Sequence, residues 1–318
     1  MDERIERGSS LWRDALKRLF KNKAAMAGLG FFVFMVFAAL FGPLISPHSY
    51  EAQYDFRESQ PPAVFDMDAF ERRTMTILVR EDYRSILGLN WNTRHWLGTD
   101  TLGRDMLARL LFGARVSLAI GFLAGIVSLV IGVLYGAIAG YLGGRLDNLM
   151  MRFVDTLYSL PYMFFVILLM ALAGRSFVLL FVAIGAVSWL TTARIVRGQI
   201  ISLKNSEFVE AALASGTGHW KIITRHLIPN TLGPIIVYFS LIVPRVILEE
   251  SFLSFIGLGV QAPMASWGLM VAEARGVVQL YPYIVLIPGI TLTLTLFSLN
   301  FLGDGLRDAL DPRLKGKQ

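Results

Sequence analysis

The sequence predicts an all-α, polytopic membrane protein with six transmembrane helices. Hydrophobic residues make up 54% of the 318 residues and charged residues only 17%, and the mean hydropathy is +0.55. Soluble proteins contain fewer apolar and more charged residues on average. Long stretches of the chain also carry no charge, and about 20 apolar residues suffice for a helix to cross the ~30 Å hydrocarbon layer of a bilayer. Most of the chain is therefore expected to lie in lipid.

The first third of the chain predicts an amphipathic segment, one span and a long polar loop. Residues 1–23 hold seven Lys/Arg beside apolar residues at helical spacing, which indicates a basic helix on the membrane surface. Residues 24–45 carry no charge and form the first predicted span. Residues 46–115 contain nine Arg and ten Asp/Glu and form the predicted loop, in which residues 66–84 fit either a short helix or a pair of strands.

Residues 116–303 are predicted to form the transmembrane core, followed by a polar tail at 304–318. The apolar runs place the five remaining spans at 116–144, 156–173, 177–193, 231–256 and 282–303. A kink is expected at Pro161, and residues 143–153 are interpreted as a short polar turn. Glycines in the first of these spans recur at intervals of 4, 7, 4 and 4 residues and predict one stripe on which another helix packs closely: Gly121, Gly125, Gly132, Gly136 and Gly140.

A loop at residues 194–230 is the longest polar interruption in the C-terminal two thirds of the chain. Two short helices fit it. The first is predicted to begin near Ser206 and to end at Gly216, because glycine accepts the left-handed conformation that ends helices. The second is predicted to run from Gly218 to Ile228 and to end before Pro229. Its apolar face would consist of Trp220, Ile223 and Leu227, and its basic face of Lys221 and Arg225.

The distribution of Lys and Arg predicts which side of the membrane each loop faces. The segments 1–23, 145–155, 194–230 and 304–318 together hold 18 of them. The connections on the opposite side hold two, once the 46–115 loop is left out because the rule applies to loops of up to ~60 residues. Both termini and the 194–230 loop are therefore expected in the cytoplasm, and the net charge of +6 is explained by topology rather than by nucleic acid binding.

The segment before the second span, HWLGTDTLGRD, combines turn residues with charged groups. Gly98 and Gly103 permit tight turns, and Asp100 is expected to cap a helix that begins near Gly103. We interpret Asp100, Arg104 and Asp105 as a structural ion-pair cluster, because two acids beside one arginine form such clusters more often than catalytic sites.

The sequence contains no recognisable catalytic, phosphate-binding or metal-binding motif. A phosphate loop of the G-x-x-x-x-G-K-[S/T] type and a G-x-S-x-G elbow are both absent. No cysteine is available for thiol chemistry or metal ligation. The four histidines show no H-x-x-x-H spacing: His48, His95, His219 and His226. We therefore predict no catalytic residue, no metal site and no ATP hydrolysis by this chain alone.

Two segments of the sequence resemble the membrane subunits of bacterial ABC importers. Residues 210–229 resemble the EAA loop of that family, with Glu210, Ala211, Ala212, Gly216 and Pro229 in register and with departures at His226 and Ile228. The block from His95 to Gly121, which includes Gly98, Asp100, Gly103, Arg104 and Asp105, resembles the extracytoplasmic signature of the dipeptide, oligopeptide and nickel branch. Three further segments look like the C-type subunit of oligopeptide permeases: 188–199, 250–259 and 303–313.

The resemblance implies a permease subunit that forms half of a path for peptides in the bacterial inner membrane. It implies a paralogous B-type permease, two cytoplasmic ATPase subunits that bind ATP and Mg, and an extracytoplasmic substrate-binding protein as partners, with no cofactor in this chain. The ATPase-coupling residues would be Glu207, Glu210, Ala211, Ala212, Gly216, Trp220, Lys221, Arg225 and Pro229.

The fifth span carries three charged residues, which are rare inside membranes and usually face a protein interior or a watery path. Arg245 and Glu249 lie four residues apart and are expected to pair, whereas Glu250 points about 100° away. One hypothesis is that Glu250 faces the subunit interface and that the three residues line or gate the translocation path. The alternative is that they reach the outer membrane interface.

Two other functions remain open at the level of sequence. A proton-coupled secondary transporter would use Arg245, Glu249 and Glu250 as a proton relay. Such carriers usually show internal repeats, and the two halves of this sequence show no convincing one. A membrane scaffold with a receptor-like outer loop is the third hypothesis. Dependence of uptake on a partner ATPase separates the first function from both alternatives.

Overall fold

The computed structural model describes residues 11–46, 48–53, 95–174 and 176–310. Within these ranges the regular structure is helical, apart from an isolated β-bridge between Thr99 and Asp105. The all-α fold predicted from composition and apolar runs is confirmed. The expected helix or strand pair at 66–84 and the tail beyond residue 310 lie outside the described residues.

The described residues form twelve α-helices and one π-helical turn. In chain order they are α1 (Leu11–Lys21), α2 (Lys23–Ile45), α3 (Met106–Leu142), α4 (Gly144–Ser159), α5 (Tyr162–Ala173), α6 (Phe177–Leu203), α7 (Glu207–Ala214), α8 (His219–Ile222), the π turn (Ile223–Leu227), α9 (Ile228–Asn230), α10 (Leu232–Phe255), α11 (Trp267–Ala274) and α12 (Tyr283–Leu310). Five of them, α2, α3, α6, α10 and α12, are long and apolar enough to cross a membrane, and the bent pair α4–α5 gives a sixth crossing if it counts as one span.

α3 is the central helix of the bundle. Its most extensive packing is against α6, and it also contacts α2, α10 and α11. Half of the most apolar window of α3 and of α6 is buried, compared with 22% in α2. The main core forms where these helices meet, around Ile120, Ala124, Ile184 and Ile247. α2 and α12 lie against the outside of this core, so most of their apolar surface is left for lipid.

The predicted glycine stripe on α3 serves two neighbouring helices instead of one. A Cβ atom on Gly121 would lie 2.7 Å from the side chain of Ile247 on α10. A Cβ atom on Gly136 would lie 2.3 Å from the carbonyl oxygen of Ala193 on α6. The stripe divides along the length of α3, because α10 packs on the turns around Gly121 and α6 packs on the turns from Gly132 onward, ~16 Å further along the helix axis. Gly125 belongs to the α10 side, and Gly132 and Gly140 belong to the α6 side.

The third span differs from the single kinked helix predicted for residues 156–173. The chain forms α4 and α5, which meet at an angle of 81° at Leu160 and Pro161. Pro161 has no N–H group and fixes its own φ, and Leu160 before it is extended, so the helix ends instead of bending. Residues 144–153, predicted as a polar turn, are helical and belong to α4. α5 alone is ~18 Å long, too short to cross the membrane.

Several helices extend beyond their predicted limits. α3 begins at Met106, ten residues before the predicted end of the 46–115 loop. α6 continues to Leu203, so the first ten residues of the 194–230 loop are helical. α12 continues to Leu310 into the predicted tail, and α11 lies inside the predicted connector between the last two spans. Apolar runs mark where a helix lies in lipid, whereas its capping residues decide where it ends.

The contact at Gly136 generates a stability prediction. Gly136→Ala should lower the unfolding midpoint of the purified protein in detergent, because the added methyl group meets backbone atoms of α6 that cannot move aside. Overpacking of this kind costs about 1–3 kcal/mol. The matched control is Gly198→Ala, since Gly198 is exposed on α6 and its Cβ would meet no atom within 4 Å. An equal loss in both variants would contradict the packing described here.

Candidate functional site

The part of the 194–230 loop that follows α6 begins with α7, whose end is fixed by glycine. Glu207 and Glu210 lie in its first turn, where the helix N-terminus favours negative charge. The N–H groups of Gly216 and Thr217 donate to the carbonyl oxygens of Leu213 and Ala212, at 2.9 and 3.0 Å. This bonding pattern is a Schellman motif. Gly216 has a φ of +73°, so the predicted helix end and its physical reason are confirmed.

The second half of the loop is one continuous helical segment that differs from the prediction. It runs through α8, the π turn and α9 to Asn230 and passes Pro229, which was expected to end it. Pro229 donates no backbone hydrogen bond, and it follows a π turn in which the bonding is already irregular, with the Ile228 N–H donating to the carbonyl oxygen of Ile223. Trp220 is 60% exposed, whereas Ile222, Ile223 and Leu227 are buried, so the predicted common face is wrong.

The loop is packed firmly onto the membrane bundle. Val209 of α7 and Ile222 and Leu227 of the second segment are fully buried. They pack against Ala137 near the C-terminal end of α3 and against Ile200 near the C-terminal end of α6. These are the helix ends that are predicted to face the cytoplasm. The hydroxyl of Tyr141 on α3 lies 2.6 Å from Nδ1 of His219. Buried apolar contacts and this hydrogen bond therefore hold the loop against the ends of α3 and α6.

The opposite face of the loop is exposed and amphipathic. Its large apolar residues are 37–60% exposed: Phe208, Leu213 and Trp220. The charged and small residues of the predicted coupling set are exposed beside them: Glu207, Glu210, Ala211, Gly216, Lys221, Arg225 and Pro229. Ala212 is the exception, since it is buried against the bundle. An exposed surface that mixes aromatic and charged groups is typical of a protein contact.

Two ion pairs near this loop were missed in the sequence. Arg197 on α6 donates two hydrogen bonds to Asp147 on α4, at 2.5 and 2.6 Å. Arg194 donates to Asp155 at 2.6 Å. The first pair involves a buried carboxylate and has the two-pronged geometry that makes arginine–carboxylate contacts strong. Partners 50 residues apart cannot be matched from helical spacing alone.

The glycine-rich segment before α3 forms a compact turn with two separate aspartate roles. Gly98 and Gly103 have φ values of +77° and +72°, which fits their predicted turns. The cap of α3 is Asp105, which accepts a hydrogen bond from the Ala108 N–H at 2.7 Å. Asp100, predicted as the cap, instead accepts from the N–H groups of Leu102 and Arg104 at 2.9 Å each and closes the turn. The predicted capping residue is therefore wrong.

A buried ion-pair network joins this turn to α11. Arg104 donates to Asp100 and to Glu273, both at 2.7 Å. Arg109 on α3 also donates to Asp100 and to Glu273. The two arginines and Asp100 have side chains that are at most 6% exposed, and Glu273 is 26% exposed. The prediction of a structural cluster fits Asp100 and Arg104 but not Asp105, which pairs with His95 instead. Arg109 and Glu273 complete the cluster, and Glu273 lies too far along the chain to be found from sequence spacing.

His95 pairs with Asp105 and stacks on a second histidine. Nδ1 of His95 lies 2.8 Å from Oδ1 of Asp105. The rings of His95 and His48 stack with their centroids 4.4 Å apart, and all three side chains are buried. Each of the three residues offers one atom that could bind a metal ion, and these three atoms lie within 4.8 Å of one another. The lack of H-x-x-x-H spacing excludes only a site on one helix, so this cluster could not be anticipated from the sequence.

The charged residues of the fifth span separate into two environments. Arg245 and Glu249 form the predicted pair, with Nε donating to Oε1 at 2.9 Å. Glu250 is fully buried, and its Oε1 accepts from Ser254 and from Ser266, both at 2.7 Å. Ser266 caps α11, so Glu250 ties the start of that helix to α10. This location does not fit the expectation that Glu250 faces a subunit interface, because the chain itself encloses the carboxylate.

Comparison with known proteins identifies two family matches. Residues 132–316 match the family described as binding-protein-dependent transport system inner membrane component. Residues 10–62 match the N-terminal TM domain of oligopeptide transport permease C.

Individual relatives cover nearly the whole chain. The oligopeptide transport system permease protein OppC of Haemophilus influenzae is 46% identical over 307 residues, which are 96% of this chain and 90% of that protein. OppC of Escherichia coli K12 is 44% identical over 313 residues, 98% of this chain and 94% of that protein. The dipeptide transport system permease protein DppC of Bacillus subtilis is 42% identical over 307 residues, 96% and 87% of the two chains.

A solved structure of the inward-facing MetNI methionine ABC transporter shares the fold. The TM-score is 0.54 at 16% identity, with 65% of this chain and 98% of that chain covered. At this identity the similarity concerns the fold alone. The family match over more than half of the chain and the full-length relatives together place this chain in the family of binding-protein-dependent transport system inner membrane components, in the branch that includes the OppC and DppC permeases.

Proposed function

We propose that this chain is one of two membrane subunits of an ATP-driven importer of peptides. The observation that carries the proposal is the 194–230 loop, which packs on α3 and α6 with one face and exposes Glu207, Glu210 and Trp220 on the other. Relatives named for oligopeptide and dipeptide transport support the peptide as substrate. None of the relatives described above is named as a proton-coupled carrier.

The energy for transport comes from partner subunits. The sequence lacks a phosphate loop, so ATP and Mg bind to two ATPase subunits instead. Each membrane subunit presents one coupling element to one ATPase, and the EAA-like residues Glu210 to Gly216 form that element here. A paralogous B-type permease supplies the other half of the path, and a substrate-binding protein delivers the peptide from outside.

The chain lies in the bacterial inner membrane with both termini in the cytoplasm. The positive-inside distribution of Lys and Arg supports this orientation. It places the 194–230 loop beside the ATPases and the turn at His95–Asp105 on the extracytoplasmic side, where a binding protein docks.

Cysteine labelling tests this orientation directly, because the natural chain has no cysteine. Ser49→Cys should react with an impermeant thiol reagent in intact spheroplasts, since Ser49 is exposed and lies near the start of the 46–115 loop. Ser215→Cys, exposed in the 194–230 loop, should react only after the cells are opened. The reverse pattern of labelling would invert the proposed topology.

Substitution of Gly216 tests the coupling role. Gly216→Val places a β-branched residue at a φ of +73°, so the end of α7 should shift and the exposed face should no longer fit the ATPase. We expect normal membrane insertion, at least about a tenfold loss of peptide uptake in proteoliposomes containing the complete transporter, and ATP hydrolysis that no longer responds to the binding protein.

Gly218→Val is the matched control for this experiment. Gly218 has a φ of −65°, which valine adopts, and a Cβ atom there would meet nothing within 4 Å. This variant should retain uptake near the wild-type rate. If the Gly216→Val variant shows wild-type uptake and coupled ATP hydrolysis, the loop is not the coupling element.

A further inference from the structure

A pocket opens where the third span is broken. It has a volume of about 320 Å³, within the ~300–1,000 Å³ range of small-molecule sites. Its walls come from the break itself, from α6 and from α10, and include Leu160, Pro161, Ser188, Thr191, Tyr238 and Arg245. No residue of this pocket belongs to the ion-pair network before α3 or to the exposed face of the 194–230 loop.

The pocket lies at the depth of the membrane. Its α10 wall extends from Tyr238 to Arg245, which are ~9 Å and ~20 Å along the helix from Leu232. The hydrocarbon layer is ~30 Å thick. At this depth a non-helical backbone, like that of Leu160 and Pro161, is tolerated only inside protein or beside water. Both residues are exposed on this chain, so lipid does not cover the break.

Arg245 supplies a positive charge to the pocket. Its side chain is 57% exposed, although the guanidinium lies in a membrane span. Nε donates to Glu249, and within the described residues no hydrogen-bond acceptor is present for the two terminal nitrogens. Guanidinium carries five N–H donors, so four remain. Charged side chains inside a membrane usually face a protein interior or a watery path, so the exposed part of Arg245 is not expected to face lipid.

We propose that this pocket is a water-filled site on the translocation path that binds the C-terminal carboxylate of the transported peptide through Arg245. The inference rests on the proposed function. Planar guanidinium groups bind carboxylates through paired hydrogen bonds. Glu249 is only 9% exposed and contacts Nε, so it orients the guanidinium and leaves its two terminal nitrogens toward the pocket. Arg245 is thus the specificity-determining residue, and Glu249 positions it.

Single-cysteine chemistry in the complete transporter tests whether the pocket holds water and a positive charge. Ser188→Cys should react with methanethiosulfonate reagents that carry either a sulfonate or a trimethylammonium group. Adding Arg245→Gln to the same chain should lower the ratio of anionic to cationic labelling rates by about three- to tenfold, as expected for the loss of one charge several ångströms away. Arg245→Lys should preserve the ratio, because it keeps the charge.

Val33→Cys is the control for lipid exposure. Val33 is 56% exposed in the uncharged middle of α2 and should react with neither charged reagent. A Ser188→Cys variant as inert as Val33→Cys in the assembled transporter would show that lipid or the partner permease covers the pocket, and would overturn the proposal. A labelling ratio that Arg245→Gln leaves unchanged would overturn the role of the arginine.

Protection by substrate tests the ligand itself. A tripeptide with a free C-terminal carboxylate, added with the binding protein and a non-hydrolysable ATP analogue, should slow labelling of Ser188→Cys relative to the same complex without peptide. The C-terminal amide of the same tripeptide is the matched control, and it should give no protection because it lacks the carboxylate. Equal protection by both peptides, or by neither, would reject carboxylate binding.

The same preparation separates this inference from the proposed function. If uptake depends on ATP but Ser188→Cys is inert, the proposed pocket is rejected and the proposed importer function stands. If uptake is independent of ATP, the proposed function is rejected. If the labelling is charge-selective in that case, the pocket still binds anions, but in a transporter with another energy source.

Discussion

The close packing of α3 against α6 is the constraint on which the rest of the molecule depends. Helices in lipid gain little from the hydrophobic effect when they associate, so close approach and hydrogen bonds must hold them together. Gly132 and Gly136 provide the approach, and the hydroxyls of Ser128 and Thr192, 2.9 Å apart, provide a buried hydrogen bond. The 194–230 loop packs on the ends of the same two helices. The same pair of helices therefore joins the loop to the centre of the bundle.

Charged groups in the structure are arranged according to what surrounds them. Asp100, Arg104 and Arg109 are nearly inaccessible, and with Glu273 on α11 they form a neutral set of two cations and two anions that fixes the turn before α3 to α11. Buried pairs of this kind add little net stability over apolar packing but specify one arrangement of the chain. Arg245 differs because its guanidinium is exposed at membrane depth while its partner is buried. This difference in exposure between Arg245 and its partner Glu249 sets the pair apart from the structural pairs that Asp100 forms, in which both side chains are buried.

The sequence predicts the helices and the end of α7 well, because apolar runs and Gly216 act locally. It does not predict contacts that the fold creates. The glycine stripe of α3 is predicted to meet one helix and meets two, since the spacing of glycines shows that a face is open but not which helix packs on each part of its length. Glu250 was expected at an interface, but Ser266, 16 residues away, encloses it. His48 and Glu273 join the clusters of His95 and Arg104 across 47 and 169 residues, distances at which spacing carries no information.

The central claim is that this chain transports peptides only when a partner hydrolyses ATP. The most direct measurement is uptake of a labelled oligopeptide by proteoliposomes that contain the complete transporter, with the phosphate-loop lysine of both ATPase subunits intact or replaced. We expect uptake to be lost with the inactive ATPases and to persist when an ionophore collapses the proton gradient. Uptake that continues without ATP hydrolysis, or that the ionophore alone abolishes, would contradict it.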